Sequence, residues 1–172
     1  MTVISHQADR ENLTLAFVAE FDAVVERVWQ IWEDPRLLER WWGPPTYPAT
    51  FVKHDFVPGG DSRYYMTGPD GDKSRGWWKI VEVDAPSRIV FEDGFSGDDG
   101  EPSGWLGTAT CTVTLEDLGG RTRMTTVTTF ESLEQLEEMV KMGMEEGMAL
   151  AMGQIDAILG APAASASSAG SV

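Results

Sequence analysis

The fold is decided by residues 105–159, which read WLGTATCTVTLEDLGGRTRMTTVTTFESLEQLEEMVKMGMEEGMALAMGQIDAIL. A strand is predicted over residues 105–115, because small or apolar side chains alternate there with threonines. Gly119-Gly120 predicts a hairpin turn, and residues 121–130 return as a second alternating strand. The two strands predict an antiparallel sheet directly before the last element of the chain.

That last element is predicted to be one long amphipathic helix ending near residue 159. Ser132 and Gln135 have the spacing of a capping box at its start. Apolar residues such as Val140 and Ile155 recur every three or four positions, whereas the glutamates fall mostly off that stripe. The helix would span roughly 40 Å at 1.5 Å per residue. A seven-stranded sheet is about 30 Å wide, so the helix can cross all of it.

Upstream of residue 105 the pattern predicts one strand, two short helices and four more strands. The first helix covers residues 24–32 and ends at Asp34-Pro35, and Pro35 starts the second. Turn sequences such as Gly68-Pro-Asp-Gly71 separate the later strands. The predicted strands are 13–21, 49–57, 62–67, 76–83 and 87–95.

The termini are expected to lie outside this domain. Residues 1–11 are predicted to be a flexible N-terminus, and residues 12–160 a single folded domain. Residues 161–172 consist of small and polar residues that cannot bury enough surface to offset their ordering entropy, so a disordered tail is predicted there.

Composition excludes several classes of function. The formal net charge of −15 repels phosphate backbones and anionic lipids, so no nucleic-acid partner is expected. No apolar run approaches the roughly 20 residues that cross a bilayer, and residues 1–10 do not look like a signal peptide. These observations predict a cytoplasmic protein without membrane insertion. The single cysteine, Cys111, cannot form an internal disulfide, which suits a reducing compartment.

A set of short motifs, weak singly and specific in their order, resembles a known family. They are Phe21-Asp-Ala23, Val28-Trp29, Asp34-Pro35, Trp41-Trp42-Gly-Pro44, Asp55-Phe-Val-Pro-Gly-Gly60, Gly68-Pro-Asp-Gly71, Glu82-Val-Asp-Ala-Pro86, Arg88-Ile-Val-Phe91 and Gly143-Met-Glu-Glu-Gly147. Over roughly residues 12–159 the chain resembles the family related to the activator of heat-shock-protein-90 ATPase, in the START-like (SRPBCC) superfamily. The resemblance implies an α+β helix-grip fold, in which a curved antiparallel sheet of six to seven strands wraps a long C-terminal helix, with two short helices after strand 1.

The resemblance also implies a hydrophobic cavity between the sheet and the C-terminal helix. The chain departs from the family's pattern at Asp61 and Ser62, where the family often has Arg and a large aromatic residue. A small Ser62 would enlarge the mouth of the cavity if its side chain points inward.

Aromatic and methionine residues are the candidates for the cavity wall, because flexible methionines suit a pocket that accepts varied shapes. For each of them taken singly, ordinary core packing is the stronger expectation. The predicted ligand-binding residues are Trp32, Trp42, Tyr64, Met66, Trp78, Phe91, Phe95, Trp105, Met124, Phe130, Met144 and Met148. Whether Trp77 or Trp78 faces the cavity is left open.

Two glycines and a few polar groups complete the candidate site. Gly143 and Gly147 each cost helix stability, so they indicate either close helix–sheet packing or room for a ligand. The polar groups that could orient a ligand are Tyr64, Arg63, Glu92 and Asp93. Strand alternation puts Arg63 opposite Tyr64, and Glu92 and Asp93 are expected to be solvated at a strand end.

The residues for metal or nucleophilic chemistry are sparse. His6, His54 and Cys111 stand at unrelated positions, whereas a zinc site needs three or four converging ligands. Cys111 lies on the apolar face of a strand and is expected to be a small buried hydrophobe. No catalytic residue, metal or cofactor is therefore predicted.

Three functions compete at this stage. The first is binding of a small hydrophobic, aromatic or lipid-like molecule without chemical change, and it requires the fewest special residues. The second is an enzyme resembling polyketide aromatase/cyclases, which would place at least two ionisable groups deep in the pocket. The third is a co-chaperone-like protein-interaction domain. A homodimer is plausible because the sheet has exposed edges.

Overall fold

Eight strands form one antiparallel sheet in the order β1-β2-β8-β7-β6-β5-β4-β3. The computed structural model describes residues 3–160, with side chains from residue 5 onward, so the tail predicted for 161–172 lies outside the described residues. The strands are β1 Val3–Asp9, β2 Thr14–Phe21, β3 Ala49–His54, β4 Asp61–Thr67, β5 Lys73–Asp84, β6 Arg88–Phe95, β7 Ala109–Asp117 and β8 Thr122–Thr129. The helices are α1 Val25–Glu33, α2 Pro35–Leu38, α3 Leu133–Lys141, α4 Met144–Met152 and α5 Ile155–Gly160. The predicted α+β fold with a curved antiparallel sheet is confirmed.

The prediction of six to seven strands misses β1. Val3–Asp9 pairs antiparallel with β2, so the flexible terminus predicted for residues 1–11 is wrong for residues 3–9, and residues 1 and 2 lie outside the described residues. The side chains of residues 5–9 are largely exposed or half-buried, and the segment has no alternating apolar pattern. Its order comes from backbone hydrogen bonds to β2, which a search for side-chain periodicity does not detect.

The C-terminal segment is three short helices rather than the single long helix predicted. Gly143 adopts the left-handed conformation (φ 87°) between α3 and α4, and such a residue ends a helix. A second break follows Gly153, where Gln154 donates a hydrogen bond of 2.8 Å to the Gly43 carbonyl. The predicted start is confirmed, because the Ser132 hydroxyl accepts a hydrogen bond of 3.1 Å from the Gln135 amide. The breaks let the segment bend over the sheet.

Alternation along the strands puts one set of side chains on the concave face. Leu15, Phe17, Ala19 and Phe21 of β2 are buried there, as are alternate residues of β7 and β8. The β7 strand starts at Ala109 and not at residue 105 as predicted.

An aromatic cluster fills the space between the two short helices and the sheet. Trp32 lies edge-on to Trp41 at 4.8 Å between ring centroids, and Trp42 lies edge-on to Trp78 at 4.9 Å. Trp78 stacks on Phe91 at 4.2 Å. These rings anchor α1 and α2 on the sheet and hold Trp42 in place for the site described next.

Candidate functional site

A cavity of about 290 Å³ lies between the concave face of the sheet and helices α3 and α4. Its floor is formed by β4, β6 and β7, and its roof by the bend between the two helices. It is lined by Trp42, Tyr64, Met66, Asp93, Gly94, Phe95, Gly107, Ala109, Phe130, Met139, Met142, Gly143, Met144 and Met148. The volume is near the lower end of the roughly 300–1,000 Å³ typical of small-molecule sites.

Seven of the twelve predicted ligand-binding residues border this cavity. Trp42, Met144 and Met148 also border a smaller inner void of about 20 Å³, which Trp32 lines as well. The other predicted residues that line the larger cavity are Tyr64, Met66, Phe95 and Phe130.

Four of the five remaining candidates are core residues. Trp32, Trp78, Phe91 and Met124 are at most 1% exposed. The Trp32 indole N–H lies 3.4 Å from the Met124 sulfur, and Trp78 is covered on one side by Phe91. They lie beneath the cavity floor, so ordinary core packing accounts for their positions. Of the two adjacent tryptophans, Trp78 faces the interior and Trp77 the opposite side of the sheet.

Trp105 does not lie at the cavity. It is 56% exposed and precedes β7, because Leu106 and Gly107 have positive φ angles that turn the chain away from a strand. Its ring packs on Phe95 at 4.9 Å between centroids. The prediction extended the alternation of β7 four residues too far, into a glycine turn.

One charged side chain lines the otherwise apolar cavity. Asp93 of β6 pairs in register with Trp78 on one side and Ala109 on the other, which places it on the concave face. Its remaining accessible surface borders the two cavities, and no hydrogen bond or ion pair joins its carboxyl to another of the described residues. Burial raises the pKa of Asp93 to about 7. The expectation of a solvated carboxylate at a strand end was therefore wrong.

Three further polar groups lie around the same point, and with Asp93 they form what we call the polar corner: Tyr64, Trp42 and Trp78. Burial, and secondly the Asp93 charge, raises the pKa of the Tyr64 phenol, whereas the nearby indole N–H groups of Trp42 and Trp78 partly offset this. Those N–H groups have no hydrogen-bond partner of acceptable geometry among the described residues. Both N–H groups are therefore buried near the Tyr64 hydroxyl; Trp42 lines the cavity, whereas Trp78 lies beneath its floor.

The position of Tyr64 depends on a glycine in the next strand. A Cβ atom at Gly76 would collide with the Tyr64 hydroxyl, so only glycine allows the phenol to lie over β5. Aligning the two predicted strands as an antiparallel pair could have indicated this contact, since Tyr64 and Gly76 are in register in adjacent strands. Arg63, next to Tyr64, points to the other face and forms an ion pair of 2.9 Å with Asp61.

Different features of the structure explain the glycines at positions 143 and 147, and close helix–sheet packing explains neither of them. Gly143 needs its positive φ, as described above. At Gly147 an added Cβ would meet no atom within 4 Å, and this glycine borders a second opening of about 150 Å³. Met66, Met144 and Met148 line both this opening and the larger cavity. Three flexible methionines therefore separate the two spaces.

Ser62 points inward but does not enlarge the cavity. It is fully buried, and its hydroxyl lies 2.8 Å from Nδ1 of His54. Nε2 of His54 lies 2.8 Å from the Trp32 carbonyl, which can only accept, so Nε2 carries the proton. Burial lowers the pKa of His54. The imidazole therefore lies directly against Ser62 and ties β3 to α1.

The remaining reactive candidates have structural roles. Cys111 is buried on the concave face, and burial raises the pKa of its thiol, which disfavours the nucleophilic thiolate. Among residues 3–160, no three His, Cys, Asp or Glu side chains converge as metal ligands would. None of the described helices has the length and apolar character needed to span a bilayer.

Comparison with known proteins agrees with this architecture. The model of the family described as "Activator of Hsp90 ATPase homolog 1-like protein" matches residues 22–160. A solution NMR structure of a protein from Arthrobacter aurescens is 55% identical, covers 99% of each chain and has a TM-score of 0.90. A crystal structure of a protein from Mycobacterium smegmatis is 47% identical, covers 91% of this chain and 96% of the other, and has a TM-score of 0.85.

More distant structures share the fold alone. A protein from Staphylococcus epidermidis is 24% identical over 93% of this chain and 94% of its own, with a TM-score of 0.76. No curated protein gave a significant match to the chain.

Proposed function

The chain belongs to the family of activator of Hsp90 ATPase homolog 1-like proteins, within the START-like superfamily, and we propose that it binds a small, largely apolar molecule in the cavity. The superfamily typically binds hydrophobic ligands. The observation that carries the proposal is the cavity of about 290 Å³ itself, which is enclosed by aromatic and methionine side chains.

The methionines support a ligand that is apolar and variable in shape. Five of the eight methionines of the chain line the cavity, on the sheet, on both helices and on the bend between them. Methionine is unbranched and polarizable, so its side chain adapts to irregular apolar surfaces. A volume of about 290 Å³ corresponds to roughly ten water molecules, and an apolar molecule that displaces them gains the free energy of burying its surface.

The proposal is tested with N-phenyl-1-naphthylamine, a neutral apolar probe whose fluorescence rises in an apolar site. Ala109 is buried on the cavity floor, so Ala109→Leu projects a larger side chain into the space. Thr110→Leu is the matched control, because the next residue of β7 points to the opposite face. We expect saturable binding that Ala109→Leu weakens at least about tenfold, since it displaces apolar contacts, and that Thr110→Leu leaves unchanged. Absence of saturable binding to the wild type, or equal affinity in the two variants, would contradict the proposal.

A second candidate function, proton-transfer catalysis of the aromatase/cyclase kind, is favoured by one specific observation. Such an enzyme requires at least two ionisable groups in the pocket, and Tyr64 and Asp93 both line it. A carboxyl with a pKa of about 7 is suited to acid–base work near neutral pH. This candidate predicts that the protein accelerates hydrogen–deuterium exchange at the acetyl group of 2-acetylnaphthalene in D2O and that Asp93→Asn abolishes the acceleration. Exchange at the uncatalysed rate would remove it.

A further inference from the structure

We propose, on the basis of the function proposed above, that the ligand is a largely apolar molecule with one protonated amino group, and that this ammonium group binds the carboxylate of Asp93. The inference names the chemical class of the ligand, whereas the proposed function states only that an apolar molecule occupies the cavity. It depends on the charge and the unpaired state of the Asp93 carboxyl, which lines the cavity.

Asp93 brings an unsatisfied hydrogen-bond acceptor to the cavity. Its half-buried side chain lines both the cavity of about 290 Å³ and the smaller inner void. Among residues 3–160, no side chain donates a hydrogen bond to its carboxyl or forms an ion pair with it. The indole N–H groups of Trp42 and Trp78 lie against the Tyr64 oxygen instead. An ionised carboxylate only accepts hydrogen bonds, so a ligand that pairs with Asp93 must carry a donor.

The negative charge of Asp93 selects an ammonium group among the possible donors. A carboxylate in an apolar site is costly unless it is paired. An alcohol would donate one hydrogen bond but would leave the charge in place. An ammonium group favours the ionised carboxylate and forms a charge-assisted hydrogen bond, which is stronger than one between neutral groups. The net charge of −15 adds to this selection, because it attracts cations from solution.

The protein itself supplies no cation to Asp93 within its described part. No Lys, Arg or His is among the described residues that line the cavity or the inner void, and His54 packs instead against the Trp78 ring. The titratable groups that interact with the Asp93 carboxyl are Tyr64 on β4 and Cys111 on β7. Burial raises the pKa of both, so both are neutral near pH 7. The residues of α3 and α4 that line the cavity are all methionines. The counter-ion must therefore come from the ligand.

The rest of the wall suits the apolar body of such a ligand. Asp93 lies on the cavity floor, whereas Met139, Met144 and Met148 lie on the helices that form the roof. The wall also includes the aromatic side chains of Phe95 and Phe130. These groups offer apolar contacts and no further charge. The arrangement fits a molecule with a single charged end on the floor and an apolar remainder beneath the helices.

The test uses four naphthalene derivatives of similar size. They are 2-naphthylmethylammonium, 2-naphthylmethanol, 2-ethylnaphthalene and 2-acetylnaphthalene, of which the first three differ only in bearing an ammonium, a hydroxyl or a methyl group on the same carbon. Dissociation constants are measured by calorimetry at pH 8, where Asp93 is largely ionised and the amine is largely protonated. We expect the ammonium probe to bind at least about tenfold more tightly than each neutral probe, because hydrogen bonds between charged groups are roughly twice as strong as neutral ones.

Two variants of β6 connect this preference to Asp93. Asp93→Asn keeps the shape and removes the charge, so the affinity for the ammonium probe should fall at least about tenfold, whereas that for 2-ethylnaphthalene should change by less than about threefold. Glu92→Gln is the matched control, because it removes the same charge from the adjacent residue on the outer face, opposite Lys79. It should leave all four affinities unchanged. The comparison separates contact with Asp93 from attraction by the overall charge of the protein.

The pH dependence of binding has a defined sign. With a pKa of about 7, Asp93 is roughly nine-tenths ionised at pH 8 and about one-tenth ionised at pH 6. The apparent affinity scales with the fraction of protein in the binding-competent state, so the wild type should bind the ammonium probe about tenfold more weakly at pH 6 than at pH 8. Asp93→Asn should bind it equally at the two pH values. A ligand held by the protonated carboxyl would show the opposite trend.

The outcomes separate this inference from the proposed function. Tightest binding of a neutral probe at pH 8, equal effects of Asp93→Asn and Glu92→Gln on the ammonium probe, or wild-type affinity for it that does not fall at pH 6 would overturn the inference while leaving the apolar cavity site in place. Failure of all four probes to bind, together with failure of N-phenyl-1-naphthylamine, would overturn the proposed function itself.

Discussion

Replacing Asp93 by Asn should change how the stability of the protein depends on pH. The half-buried Asp93 side chain lines the cavity, and its carboxyl has no hydrogen-bonding or charged partner among the described residues. Desolvation raises its pKa from 3.8 to about 7. Between these two values the folded protein keeps a proton that the unfolded chain has released. The contribution of Asp93 to stability therefore falls as the pH rises through this window, and its full cost is present above about pH 7.

The magnitude follows from the two pKa values. A difference between 3.8 and about 7 corresponds to roughly 4 kcal/mol in the free energy of unfolding. Asn has a similar shape and no charge at any of these pH values. Between pH 4 and pH 8, the stability of Asp93→Asn relative to the wild type should therefore rise by up to roughly 4 kcal/mol.

The assay is urea unfolding of both proteins, followed by tryptophan fluorescence, at several values between pH 4 and pH 8. Glu92→Gln is the control for loss of a carboxylate from the same strand, since Glu92 lies on the outer face opposite Lys79. The difference between Asp93→Asn and the wild type should grow steadily with pH, whereas that of the control should not. A difference for Asp93→Asn that is constant across the range would refute the conclusion that an unpaired carboxyl lies in an apolar site.

Two further predictions concern the two glycines of the helical segment and the buried imidazole of His54. Gly147→Ala should stabilise the protein by about 0.5–1 kcal/mol, because the added Cβ meets no atom within 4 Å and alanine favours a helix. Gly143→Ala should destabilise the protein by roughly 1–2 kcal/mol, because the backbone at position 143 has a positive φ. Thermal unfolding measures both effects. Equal shifts of the Tm in the same direction for the two variants would contradict the conclusion that the two glycines have different roles. The wild type should lose stability relative to His54→Gln as the pH falls below 6.5, since burial lowers the folded pKa of His54 and the unfolded chain takes up the proton first. Equal pH dependence of the two proteins in urea unfolding would show that His54 is not held neutral in the fold.

The sequence was sufficient for most of the sheet, because side chains that alternate across two faces leave a clear period. The β8 strand is an example, in which Met124 is buried and Arg123 points out. It was not sufficient for β1, whose pairing is carried by the backbone. Nor did the helical stripe reveal the bend at Gly143, because an apolar period continues through a break that only the backbone angles show.

The types of residue that form the cavity wall were predictable from the sequence, whereas the residues that border the cavity were less so. Every large apolar residue on the concave face is a candidate from alternation, but depth separates Tyr64, which borders the cavity, from Trp78 beneath it. Asp93 was predicted to be solvated because a carboxylate near a glycine at the end of a strand is usually exposed to water. Its alternation with Phe91, two residues earlier on the same face, was the signal that could have placed it inside.

The most direct test of the cavity site is the contact of a bound molecule with the methionine methyl groups. Protein labelled with 13C at these methyls, with 2-acetylnaphthalene added, should show nuclear Overhauser effects from the naphthalene protons to Met144 and Met148, which line the cavity, and none to Met124, which lies in the core. Contacts confined to other methyls, or no contacts at a ligand concentration that saturates binding, would contradict the account.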